Sequence, residues 1–199
     1  MVTSELSARL SGRRLVLASG SPRRRELLAM LGVDFSVELP RECDESYPST
    51  MPAEEVPEFL ARKKAEAFAS SASGEYLAVT SDTVVILDGK VLGKPMDEAD
   101  AVHMLKNLSG RVHRVVTGVA LTDGVRTVSS RAVTEVEFAV LTDGEIAYYV
   151  DRYRPLDKAG AYGIQEWIGC IGVKRIEGSF YNVMGLPLHI IYNMLLNWG

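Results

Sequence analysis

The chain has 199 residues, 47% of them hydrophobic and 24% charged, with a formal net charge of −4 at pH 7. That length and mixture suit one well-packed domain, or one domain with two lobes. The negative balance speaks against a general nucleic-acid binder. No segment approaches the ~20 apolar residues that span a bilayer, and no secretory signal is visible at the start. Cys43 and Cys170 lie far apart, in no metal-like spacing, and fit a reduced, cytoplasmic protein.

Met1 to Ser11 reads as a short helix or a loose arm. Leu15-Val16-Leu17 is a buried strand, followed by a small-residue turn and a helix with Ser21 as N-cap and Pro22 at its first position. Val33 to Leu39 is a candidate second strand, and Arg41 to Pro57, rich in proline and polar residues, is a loop. Apolar spacing at Val56, Phe59, Leu60, Ala67 and Phe68 predicts a helix over Glu54 to Ala72, with Lys63 and Lys64 beside the stripe and Gly74 ending it. Leu77 to Leu87 is a strand interrupted by Thr80-Ser81-Asp82-Thr83, and Asp88-Gly89 turns it back through Val91-Leu92. A helix capped by Asp97 runs to Leu108. Val112 to Thr122 and Val125 to Phe138 form a long hairpin about Asp123-Gly124. Thr142-Asp143-Gly144-Glu145 has capping-box spacing at the head of a helix to Arg152. Asp157 to Asn182 is glycine-rich and irregular, and Leu186 to Trp198 is a closing helix. The alternation of strands and helices with a late hairpin predicts α/β or α+β with a mixed sheet.

Five segments carry chemistry. In Ser19-Gly20-Ser21-Pro22-Arg23-Arg24-Arg25, cations stand at the positive end of a helix dipole, each at a cost of a few tenths of a kcal/mol. A bound phosphate would compensate them through backbone N–H groups and guanidinium forks; solvated arginines on a capped surface helix are the alternative. Asp82, in an apolar strand, is expensive to bury unless paired or metal-bound. It reads as a carboxylate that binds Mg²⁺ or activates water, or as a strand-end cap. Lys94, between Gly93 and Pro95, is poised for a phosphate or is an ordinary turn lysine, and Lys63-Lys64 has the same standing. Asp157 to Gln165 surrounds Tyr162 and Gln165 with small residues; a Gln amide suits a base edge, and the alternative is a structural loop. Gly178 to Pro187 reads as the approach to the last helix, with Ser179 and Asn182 as further phosphate donors. The three histidines have no ligand spacing.

The order of these blocks resembles the Maf family of nucleotide pyrophosphatases. Ser-Gly-Ser-Pro-Arg-Arg, Ala-Arg-Lys-Lys-Ala, Ser-Asp-Thr-Val-Val, Leu-Gly-Lys-Pro, Leu-Ser-Gly-Arg with Val-Thr-Gly-Val, Asp-Lys-Ala-Gly-Ala-Tyr-Gly-Ile-Gln and Gly-Ser-Phe-Tyr-Asn-Val-Met-Gly-Leu-Pro-Leu carry the resemblance from about Leu15 to about Leu196. It implies one domain over residues 1–199, with residues 1–12 as an extension. The implied fold is a mixed twisted α/β sheet with flanking helices and two lobes around a central cleft, similar to inosine triphosphate pyrophosphatases. It also implies hydrolysis of a nucleoside triphosphate to monophosphate and pyrophosphate with a divalent metal cation, and a homodimer. The family's proton acceptor maps to Asp82, and its specificity positions map to Arg23, Thr83 and Gln165, as in the branch that prefers dTTP and UTP. Where family members commonly continue Gly-Ile-Gln with Gly, this chain has Glu166-Trp167.

The expected mechanism places the triphosphate on Arg23, Ser21 and the helix N-terminus, with Lys64 and Lys94 neutralising it. Asp82 with Glu38 is the expected Mg²⁺ or Mn²⁺ pair, orienting a water at the α-phosphorus, while Thr83 and Gln165 hydrogen-bond the base. A non-catalytic nucleotide-binding regulator of septum formation and an enzyme that removes only the γ-phosphate are the competing readings.

Overall fold

The computed structural model describes residues 5–10, 12–39 and 43–198. The arm expected over Met1 to Ser11 is described as α1 (Glu5–Arg9), and the rest of that expectation lies partly outside these residues, as does Arg41 at the head of the expected loop. Among the described residues, seven strands form one mixed sheet: β1 (Arg14–Leu17), β2 (Ser36–Val37), β3 (Tyr76–Leu87), β4 (Lys90–Leu92), β5 (Val112–Thr122), β6 (Thr127–Phe138) and β7 (Val173–Glu177). Their order is β2-β1-β3-β5-β6-β7, with β4 on β3. β1 pairs in parallel with β2 and β3, whereas β4 on β3 and β7 on β6 are antiparallel. Among the described residues no helix is long and apolar enough to cross a membrane.

The chain forms two compact units: Met1–Asp82 with Thr117–Ala132 and Gly185–Gly199, and Thr83–Val116 with Val133–Met184. Strands β3, β5 and β6 each give residues to both.

In the first unit, α2 (Pro22–Ala29) starts as its sequence dictates, with the Ser21 hydroxyl accepting from the Arg24 amide. Helix α3 (Val56–Ala69) covers its apolar pattern but is shorter at both ends than the expected Glu54 to Ala72, because Pro57 is tolerated only in a first turn and the chain leaves the helix at Ser70. Small residues let α3 approach the sheet: Ala61, Ala65 and Ala120 pack together. At Gly118 an added Cβ would lie 2.3 Å from the backbone of Pro57 and Glu58, so only glycine fits under the helix start. Phe68 meets Tyr76 edge-to-face at 5.4 Å beside Val16, Ala18 and Ala78. The closing helix α8 (Leu188–Leu196) buries Leu188, Ile191 and Leu195. The strand expected over Val33 to Leu39 is only the two residues of β2.

In the second unit, α4 (Glu98–Leu108) has Asp97 as its cap and α5 (Asp143–Tyr153) has the complete Thr142/Glu145 capping box. Their apolar faces bury Leu105, Leu108, Ile146 and Tyr149 in one core with Val115, Val136 and Phe138. The turn between β3 and β4 puts Asp88 and Gly89 at φ 51° and 75°, the left-handed pair that a two-residue hairpin requires.

Of the glycine-rich stretch expected to be irregular, Asp157 to Glu166 holds only a short 3-10 turn, whereas the rest forms α6 (Trp167–Gly172), β7 and α7 (Phe180–Met184). Glycines lower helix propensity, so α6 is set by packing. The β-bulge opposite β7, between Glu137 and Phe138, breaks the period of two by which a strand is read.

Candidate functional site

Strand β3 does not break at its polar residues, because each finds a partner. The Thr80 hydroxyl donates to the Ala61 carbonyl at 2.7 Å, and the Asp82 carboxylate takes Lys64 Nζ at 2.6 Å. These are successive rungs of one ladder: residues i and i+2 share a face of a strand, and i and i+3 share a face of a helix. On the opposite face the Ser81 hydroxyl donates to the Gly185 carbonyl at 3.2 Å. The side chains of Lys64 and Asp82 are only 14% and 13% exposed, which makes this an ion pair largely removed from solvent.

Lys64 Nζ also lies 3.1 Å from Glu45 Oε1. The neighbouring Lys63 holds the same loop, with Asp44 Oδ2 at 3.3 Å and the Ser46 carbonyl at 3.0 Å. Asp44 accepts from the hydroxyl and the amide of Ser46, and those bonds, with Lys63, lower its carboxyl to about 2. Consecutive lysines on α3 thus fasten consecutive acids of the loop, and Lys64 joins two carboxylates, Asp82 and Glu45.

The arginine run divides its work. Arg24 Nε donates to the Gly185 carbonyl at 3.0 Å and Nη1 to the Ser81 carbonyl at 2.8 Å. Burial lowers the Arg24 guanidinium, and Asp82 opposes that shift. Arg24 therefore clamps the start of α2 to the strand residue before Asp82 and to the Gly185 carbonyl. Arg23 is half-buried in the first turn of α2, Ser21 caps it, and Arg25 is exposed.

The Glu38 carboxylate is engaged by other groups: it pairs with Arg14 and accepts from the Ser36 hydroxyl at 3.1 Å. The acid that shares a cation with Asp82 is Glu45, which is not among the residues expected from the sequence. Its signal was weak, two acids in a polar loop and two lysines some twenty residues later. Among the described residues, no group of three or more His, Cys, Asp or Glu is placed to hold a metal.

Of the remaining sequence-derived residues, Thr83, Lys94 and Gln165 belong to the second unit. Thr83 is half-buried, and Lys94 and Gln165 are exposed. Ser179 and Asn182 have structural duties. Asn182 is fully buried, and its amide donates to the Val115 carbonyl at 3.0 Å and to Thr134 Oγ1 at 2.8 Å, while the Ser179 amide donates to the same Thr134 oxygen. Cys43 and Cys170 are free thiols.

These features define an α/β protein with a largely buried lysine–carboxylate centre on a central strand and a capped, arginine-bearing helix beside it. The chain belongs to the Maf-like protein family, which it matches over residues 14–198. It is 53% identical over 188 residues to a dTTP/UTP pyrophosphatase of Bacteroides fragilis, covering 94% of this chain and 97% of that one. It is 52% identical over 188 residues to a dTTP/UTP pyrophosphatase of Porphyromonas gingivalis, covering 94% of each. Among solved structures, the Staphylococcus aureus Ham1 protein aligns with a TM-score of 0.48 and 16% identity over 64% of this chain and 72% of that one. Family membership is carried by the sequence and not by that structural likeness.

Proposed function

We propose that this protein hydrolyses nucleoside triphosphates, dTTP and UTP preferred, to the monophosphate and pyrophosphate. The observation that carries the reading is Asp82, held in mid-strand by Lys64 at 2.6 Å in a chain of the Maf-like family. The relatives' printed activity supports the substrate class. Asp82 accepts the proton of a water that attacks the α-phosphorus. The bond between that phosphorus and the bridging oxygen breaks, and pyrophosphate leaves with the bonding electrons. Lys64 fixes the rotamer of Asp82 and adds positive charge where the polyanion must be held. Arg23, Ser21 and the N-terminus of α2 bind phosphate oxygens, with Lys94 as a further cation. Thr83 and Gln165 read the base.

The donor set suits a divalent cation. Mg²⁺ is commonly held by one or two carboxylates, with substrate phosphates and water completing its shell, and Asp82 and Glu45 are two carboxylates on one lysine. When bound, Mg²⁺ or Mn²⁺ would supply charge neutralisation for the leaving pyrophosphate. Free thiols and a nucleotide substrate are in keeping with a cytoplasmic setting.

The test is incubation with a panel of nucleoside triphosphates and Mg²⁺ or Mn²⁺, with the products resolved. Monophosphate and pyrophosphate are expected. Diphosphate and phosphate would mean removal of the γ-phosphate only, and no turnover with retained nucleotide binding would mean a regulator.

A further inference from the structure

Gln165 sits in a tight turn of Gly163-Ile164-Gln165-Glu166, closed by the Glu166 amide donating to the Gly163 carbonyl at 3.0 Å. Such a turn on a surface would ordinarily be mobile. This one is held on three sides. Ile164 is buried at 5% exposure in the core of the second unit. Gly169 of α6 lies so close that an added Cβ would stand 1.8 Å from the Ile164 carbonyl oxygen. The third restraint is the hydroxyl of Tyr149, a fully buried residue of α5. It accepts from the Gly163 amide at 3.0 Å and donates to a Glu166 carboxylate oxygen. One phenol thus joins the first residue of the turn to the last, across Gln165.

Glu166 is well placed to be that anchor. It precedes α6 without capping it, and its carboxylate turns toward Tyr149 instead. Its other oxygen lies 3.2 Å from Lys158 Nζ, a side chain only 9% exposed that also holds Asp157 at 2.7 Å. The buried ammonium needs those carboxylates, so Glu166 is fixed from both ends. Burial and the adjoining Glu166 raise the Tyr149 hydroxyl, which keeps it protonated and donating.

We propose that Tyr149 and Glu166 are positioning residues for base selection: together they lock the Gly163–Glu166 turn so that the exposed Gln165 amide meets the pyrimidine edge in one orientation. The inference rests on the proposed base-reading role of Gln165. A hydrogen-bonding side chain discriminates only when held in register, because a misplaced donor or acceptor leaves both itself and the base unpaired.

The experiment compares Gln165→Ala, Tyr149→Phe, Glu166→Ala, Glu166→Gln and the double variant Gln165→Ala/Tyr149→Phe, with kcat and KM measured for dTTP and dCTP. Amide hydrogen exchange of the 163–166 segment is followed in each. Gln165→Ala is expected to lower the preference for dTTP over dCTP about tenfold. Tyr149→Phe and Glu166→Ala reproduce at least half of that loss through a raised KM for dTTP, keep kcat within about twofold, and speed exchange at Gly163 and Glu166. Glu166→Gln, whose amide oxygen can still accept from Tyr149, retains the preference. The double variant loses no more than Gln165→Ala alone.

Ser109→Ala removes a bond to the Leu141 amide in the same unit and serves as a control that lowers the melting temperature without altering the preference. The inference is overturned if Gln165→Ala abolishes the preference while folded Tyr149→Phe and Glu166→Ala keep it, or if the double variant loses the sum of the two. If Gln165→Ala itself changes nothing, base reading by Gln165 fails. Unchanged exchange in Tyr149→Phe would then remove the lock as well. Should Tyr149→Phe fail to fold, the two Glu166 variants decide, since that carboxylate is 19% exposed.

Discussion

In the first unit Asp82 is held by charge: Lys64 lies 2.6 Å away, and Glu45, 60% exposed, competes for the same ammonium at 3.1 Å. In the second, Gln165 carries no charge and is held through its backbone, by a buried phenol, a buried isoleucine and a close-packed glycine. The contrast follows from the work proposed for each. A proton acceptor among phosphates needs a fixed place beside positive charge, and an ion pair supplies both. A side chain that distinguishes two pyrimidines needs a fixed direction, which packing and hydrogen bonds to its backbone supply.

Substitutions can break or sharpen this comparison. The largest effect is expected for Asp82→Asn, which keeps the shape and removes the proton acceptor. Turnover of dTTP should fall about a thousandfold, equivalent to about 4 kcal/mol, as read by pyrophosphate release. Near-normal turnover would remove Asp82 from the chemistry.

The next effect belongs to the second unit. His113 is 2% exposed, its Nε2 is 2.7 Å from the Tyr162 hydroxyl, and it stands edge-on to Phe138 and Tyr162. Burial lowers it from 6.5 to about 4. The unfolded chain therefore takes up this proton first. The stability that neutral His113 provides is complete above pH 6.5 and is lost as pH falls from 6.5 through 4, by about 3 kcal/mol in all. Chemical denaturation from pH 7 to 4 should show that slope, and His113→Phe should lack it. An unchanged slope in His113→Phe would place the proton uptake elsewhere.

Gly118→Ala tests the first unit. Its Cβ would meet the Pro57 and Glu58 backbone at 2.3 Å, so α3 must shift, at about 2 kcal/mol of stability. Because α3 carries Lys64, turnover should fall while base preference stays. Loss of preference in this variant would blur the division between the two regions. The smallest effect is expected for Gln165→Ala, about tenfold in preference or about 1.4 kcal/mol, with the maximum rate little changed. Equal losses for every nucleotide would mean that Gln165 supports catalysis instead of selection.

How much of this was legible beforehand varies with the range of the interaction. Ser21, Asp97 and Thr142 were readable as caps because a cap and its amide are three residues apart. Asp82 was readable as needing a partner, because a carboxylate in an apolar strand is costly. Which partner it takes was not readable, since Lys63 and Lys64 are neighbours in one helix and only the packing of α3 on β3 brings Lys64 to Asp82. Glu38 is the expected metal partner of Asp82, and its carboxylate is engaged by Arg14 and Ser36. Arg24 stands in a run that reads as a phosphate cradle or as solvated arginines, and it is a clamp because the Gly185 and Ser81 carbonyls, 161 and 57 residues away, arrive beside it.

By itself, then, the sequence determined the local grammar of this protein: where helices start, where hairpins turn, and, through the order of its motif blocks, the family to which it belongs. Those features depend on backbone dihedrals and on partners within one turn of chain, so a short window contains all their causes. Only the tertiary structure decided that Glu45 and not Glu38 shares Lys64 with Asp82, that Arg24 clamps carbonyls, and that Tyr149 bridges the Gln165 turn. Each of these is a contact between segments distant in the chain, chosen by packing and by the cost of leaving a buried polar group without a partner.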